Sequence, residues 1–108
     1  MIEIDTKPIK DWQTFHKVFA RQLGFPGYYG CNMDAWIDCM TCLDDPYAGM
    51  TSIHVVPPEL LVLQLGKASD FKKRCPDIFA SVVECAAFVN WRRLEKKEPA
   101  VLALSFYV

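Results

Sequence analysis

Three groups of side chains in this 108-residue chain have types and spacings that can do chemistry. Asp34 and Asp38 stand four residues apart, Cys39 and Cys42 form a Cys-x-x-Cys pair, and His16 is a lone imidazole in an aromatic stretch. Paired carboxylates can divide general acid and base work in hydrolysis. A Cys-x-x-Cys pair can ligate zinc or run a thiol–disulfide couple. Neither set has the company such chemistry needs. No second Cys pair or spaced His pair completes four zinc ligands, and the thiols fall inside a helical pattern rather than at its N-terminus, where a thiolate is stabilised. They read as buried or incidental. His16 has no nucleophile or carboxylate beside it by local spacing and reads as a surface or core-margin residue. A Gly-rich phosphate loop, a Gly-x-Ser-x-Gly elbow and a His-Glu-x-x-His motif are all missing from the sequence. The expectation is no catalytic residue, no metal and no cofactor; a small thiol-redox or carboxylate-dependent enzyme is the weaker alternative.

The aspartates have another use. Four apart on a helix they share a face and repel by a few tenths of a kcal/mol, ~0.2–0.5. Between Arg21 and Lys67 there is no Lys or Arg, while Asp34, Asp38, Asp44, Asp45 and Glu59 all fall in that interval. The interval reads as an acidic surface. Tyr28 and Tyr29 precede it, and tyrosine serves equally for packing beneath a loop and for a binding hot spot. Acids and tyrosines together suit a cationic protein partner, with charge complementarity raising the association rate.

The elements that must position these residues follow from periodicity. Ile2-Glu3-Ile4-Asp5 alternates as a half-buried strand. Asp11 opens a helix whose Trp12, Phe15, Phe19 and Leu23 form one stripe, and Gly24 with Pro26 stops it. Asn32 is an N-cap for a second helix, with Met33, Trp36, Ile37, Met40 and Leu43 inward and Asp34, Asp38 and Thr41 on the opposite face. Residues 44–58 hold three prolines and a glycine, with Ile53-His54-Val55-Val56 as a possible extended segment. Leu60 to Leu65 is a nearly continuous apolar run, read as a central strand covered on both faces. Ser69-Asp70 begins a short helical turn, and Cys75-Pro76-Asp77 opens a long helix that ends before Pro99. Ala100 to Phe106 reads as the last strand. The order predicts an α/β fold: a small three-stranded parallel sheet packed against about four helices.

Charge and composition bound the rest. Half of the residues, 52%, are hydrophobic, enough for a packed core in one domain spanning 1–108. Residues 1–54 carry seven acids against four bases, and residues 55–108 six against eight, so neither half has the basic excess of a nucleic-acid binder. No apolar run approaches the ~20 residues of a membrane span. The start, Met1 to Asp5, shows no basic stretch leading into an apolar one, and five cysteines fit no small secreted disulfide framework. A cytoplasmic, monomeric protein with reduced thiols is expected.

Phe25-Pro26-Gly27-Tyr28-Tyr29-Gly30-Cys31-Asn32-Met33-Asp34-Ala35-Trp36-Ile37-Asp38-Cys39 resembles the signature of the barstar family, intracellular inhibitors of secreted guanyl-specific ribonucleases such as barnase. The resemblance implies a barstar-like fold and an immunity function, in which the inhibitor occludes a cationic active site without turnover. It implies partner-binding roles for Tyr28, Asn32, Asp34 and Asp38, with Asp38 standing in for the RNA phosphate among the nuclease's bases; Tyr29 on the loop and Thr41 on the outward face complete the expected partner-binding set. The chain departs from the pattern at Cys31, where the family often has Glu, and at Trp36-Ile37, where it has an apolar residue followed by Trp. It also carries Arg92-Arg93 where an acidic contact is expected, and a longer segment from Asp44 to Pro58. The alternative reading is a barstar-like interaction domain retargeted to a different toxin or regulatory protein.

Overall fold

The computed structural model describes every residue from 1 to 108. Its elements run β1 (Ile2–Ile4), α1 (Trp12–Leu23), α2 (Met33–Thr41), a 3₁₀ turn at Pro46–Ala48, β2 (Leu61–Leu65), α3 (Ala68–Arg74), α4 (Pro76–Glu95) and β3 (Leu102–Ser105). The three strands form one parallel sheet in the order β1-β2-β3. Parallel neighbours need crossovers, and these are α1 with α2, then α3 with α4. The α/β architecture predicted from periodicity is the one observed, with β2 in the centre.

One expectation about β2 needs correction. Its residues alternate in burial, Leu61, Leu63 and Leu65 fully inside and Val62 and Gln64 only half-buried. The register explains why. Ile2 and Ile4 pair with Leu63 and Leu65, and Leu102 with Leu61, on the covered face. Glu3, Gln64 and Ser105 line up on the other. The apolar run therefore serves a sheet with one fully buried face, not two. Nor do Ile53 to Val56 form a strand: the Val55 N–H donates to the Leu43 carbonyl and the Ser52 N–H to that of Leu23, so this segment is tied to helix ends instead of the sheet.

Local chemistry sets the helix ends that matter for the site. Asp11 and Thr14 make a capping box, the Asp11 carboxylate accepting from the Thr14 N–H at 2.8 Å and the Thr14 hydroxyl oxygen from the Asp11 N–H at 3.1 Å. Those hydrogen bonds hold the Asp11 carboxyl below its usual range. Gly24 closes α1 in the left-handed conformation at φ 67°. A side chain there would also meet Ser52, whose Oγ lies 2.0 Å from where a Cβ would sit. The exit from α1, and so the direction of the loop carrying Tyr28 and Tyr29, depends on a residue that only glycine suits.

α2 is bolted down from beneath. Trp36 and Met40 are fully buried, Ile37 and Cys39 nearly so, and Trp36 meets Phe19 of α1 edge to face with ring centroids 5.7 Å apart. α4 packs along the other side of α2. This leaves one face of α2 free, the face that holds Asp34 and Asp38.

Candidate functional site

The Asn32 side chain accepts from the Ala35 N–H at 2.8 Å and so starts α2, placing Asp34 in the first turn, where the helix dipole favours a carboxylate. Cys31, just before it, takes a left-handed φ of 53° that turns the loop into the helix. Asp34 and Asp38 are both exposed. Tyr28 is 75% exposed, its hydroxyl 3.5 Å from the Met50 sulfur. Tyr28 and Asp38 border a hollow of about 200 Å³, walled also by Tyr29, Ala35, Cys39 and Met50. Tyr28, Tyr29 and Asp38 thus share one hollow between the loop and α2, while Asn32 lines a neighbouring one with Trp12 and His16, and Asp34 is exposed outside both.

The two tyrosines have separate situations. Tyr29 is half-buried, packs on Phe25, and its hydroxyl meets His16 Nδ1 at 2.5 Å. Burial pushes its phenol well above the usual range and the His16 imidazole below its own. His16 itself is 4% exposed, wedged between Trp12 and Phe15, so it is a core residue that props Tyr29 from beneath. Sequence spacing could not place this contact. Thr41 is half-buried at the far end of α2 and donates its hydroxyl proton to the Ile37 carbonyl at 2.6 Å.

The acidic interval is narrower than the sequence implies. Asp44 is taken up by Arg93 in a bidentate pair at 3.0 and 2.7 Å, and Asp45 caps the 3₁₀ turn by accepting from the Tyr47 N–H. Asp38 accepts from Arg92 Nη2 of α4 at 3.1 Å. Of the four aspartates between residues 34 and 45, only Asp34 has no side-chain hydrogen bond or ion pair. Of the expected acidic surface, Asp44 is withdrawn into a structural pair, Asp45 and Glu59 stay exposed off α2, and the carboxylates of α2 have a guanidinium at their border. Arg92, which the sequence marks only as a departure from the family pattern, is paired with Asp38, and that pairing is what sequence reasoning misses. Its signal was an Arg-Arg pair near the end of the long helix in a basic half, facing an interval with no base.

The enzyme alternatives lose their footing in the geometry. The Cys39 thiol is buried and pushed up to about 11, and burial raises Cys42 as well, so neither is a thiolate near neutral pH. All five cysteines are free. Asp38 lines the hollow and Asp34 does not, so the two carboxylates do not converge on a common enclosed space. No group of three or more His, Cys, Asp or Glu side chains is arranged to hold a metal ion. No helix is long and apolar enough to cross a membrane.

Comparison with known protein families gives a match over nearly the whole chain. The family model for Barstar (barnase inhibitor) covers residues 1–104. Comparison with curated proteins finds none that matches. The chain belongs to the barstar family, and its role is accordingly that of a barnase-inhibitor-like protein, a binder of a barnase-type ribonuclease and not an enzyme.

Proposed function

We propose that this barstar-family chain blocks its ribonuclease by laying the acidic edge of α2 into the cationic active site. Asp38 takes the place of the substrate phosphate and Asp34 meets a neighbouring base. Tyr28 and Asn32 border the contact, Tyr29 forms the wall of the hollow beside Asp38, and Thr41 closes the contact at the far end of α2. The observation that carries this reading is the placement of Asp38 on the wall of the hollow with Tyr28 and Tyr29. A carboxylate beside aromatic faces receives a planar cation, guanidinium or imidazolium, through both charge and ring contact. Close charge pairs in the barnase–barstar complex itself are the established example of such coupling. The inhibitor acts as a monomer inside the cell that makes the nuclease, occluding the site without turnover.

The test is titration of barnase with wild type and Asp38→Ala, reading both affinity and RNA cleavage. Asp38→Ala is expected to bind far more weakly and to leave cleavage running. If it binds and inhibits as well as wild type, Asp38 is not the centre of the contact.

The guanidinium of Arg92 on Asp38 favours a second reading, a barstar-like domain retargeted to another toxin or regulatory protein. A pull-down with the wild-type chain that recovers a specific partner lacking ribonuclease activity, together with failure to bind barnase, selects that reading.

A further inference from the structure

The contact between α4 and the acidic edge leads beyond the assignment of the edge itself. Arg92 Nη2 reaches Asp38 Oδ1 at 3.1 Å, and this is the only hydrogen bond its guanidinium makes. Its Nε is shielded from solvent and has no partner. The side chain is one-third exposed and Asp38 more than half. The backbone that carries Arg92 is held in place, because the next residue, Arg93, is anchored through all three of its guanidinium nitrogens to Pro99, Thr41 and Asp44. A cation is thus held against the carboxylate proposed to receive the partner's cations.

We infer that Arg92 is a specificity-determining residue of this interface, competing with the partner for Asp38; the inference rests on the acidic edge being the binding site. A docking ribonuclease brings Arg, Lys or His charges to Asp38. If Arg92 stays, like charges are pressed together while water is excluded, which strengthens their repulsion. If it swings away into water, its one ionic contact is lost and the partner has to replace it before any affinity is gained. Both routes weaken binding to a purely cationic site. A partner that supplies an acceptor opposite Arg92 escapes the penalty, so the residue discriminates among ribonucleases by what flanks their active-site bases.

The experiment uses barnase as the probe and compares wild type, Arg92→Gln, Arg92→Lys and Asp38→Asn with the double variant Arg92→Gln/Asp38→Asn, the fold of each checked by its urea midpoint. Arg92→Gln is expected to bind roughly tenfold tighter than wild type, about 1.4 kcal/mol, with a larger gain at low salt. Arg92→Lys, which keeps the charge, is expected to gain nothing. In the Asp38→Asn background the effect of Arg92→Gln is expected to shrink, since the contested carboxylate is gone. If Arg92→Gln binds no better than wild type, or worse, the competition is refuted. The two readings fail differently: loss of affinity in Asp38→Asn without gain in Arg92→Gln removes only this inference, while an Asp38→Asn variant that matches wild type removes the acidic edge as well.

Discussion

Two consecutive arginines of α4 pair with two aspartates of the same neighbouring segment, and they do so in opposite ways. Arg93 is 2% exposed and meets Asp44 through two nitrogens, its other donors going to the carbonyls of Thr41 and Pro99. Every group in that pair is answered. Arg92 meets Asp38 through one nitrogen at the surface, with Nε unanswered. A buried guanidinium is tolerable only when its donors are satisfied, so the first pair is a structural joint between α4, the end of α2 and the segment before β3. An exposed single contact contributes little and can be exchanged for another. The difference separates what holds the face in place from what the face presents.

Breaking the joint should have the largest effect. Arg93→Ala leaves the Asp44 carboxylate and the Thr41 and Pro99 carbonyls without their donor, and the expected loss of stability is about 3–5 kcal/mol by urea unfolding. Arg93→Lys should recover only part of it, because an ammonium cannot reproduce the planar fork. Asp38→Ala should show the reverse profile: stability within ~1 kcal/mol of wild type, but affinity for barnase reduced at least a hundredfold, about 2.7 kcal/mol. If Arg93→Ala were as mild in urea as Asp38→Ala, the distinction between joint and face would be wrong.

The same distinction marks what could be read from the sequence. Elements were legible because their signals are local: Asp11 with Thr14, Gly24 after the Phe15–Phe19–Leu23 stripe, Asn32 ahead of Met33, Pro76 at the start of the long helix. The inward and outward faces of α2 followed from the same spacing, with Trp36 and Met40 buried and Asp34 and Asp38 exposed. What could not be read is whatever pairs across distance. Arg93 lies 49 residues from Asp44 and Arg92 54 residues from Asp38, and no periodicity encodes either partnership. The His16–Tyr29 contact links α1 to the loop in the same manner. The segment from Asp44 to Pro58 was opaque because it is held by single backbone bonds to helix ends, such as Ser52 to Leu23, and by no repeating pattern. The acidic interval misleads for this reason: Asp38 and Asp44 both meet arginines carried by another helix.

His16 gives the comparison a third case, a buried titratable group kept neutral. Its imidazole is pushed below the usual 6.5 by burial. The unfolded chain takes up that proton as pH falls through about 6.5 while the folded chain resists, so the unfolded state binds more protons and stability declines toward acid. His16 thus contributes stability in full above about pH 6.5, and that contribution is lost as pH falls toward its depressed folded value. The expected outcome is a urea midpoint lower at about pH 5.5 than at about pH 7.5, with the slope reduced in His16→Gln. An unchanged slope in that variant would mean that carboxylates alone set the acid sensitivity.

The smallest expected effect is the most diagnostic of the exposed pair. Removing the Arg92 charge as Arg92→Gln should change stability by no more than ~0.5–1 kcal/mol, and in Arg92→Gln/Asp38→Asn the two changes should couple by a similarly small amount. The pair has a single contact, two partly exposed side chains and water close by, so its Coulomb energy is screened. Raising salt should therefore reduce the difference between wild type and Arg92→Gln in urea while leaving that between wild type and Arg93→Ala nearly intact. A stability loss in Arg92→Gln of the size expected for Arg93→Ala would place Asp38 in the scaffold. Its carboxylate would then be part of what holds α2 to α4, and freeing it for a partner would cost the fold what the interface gains.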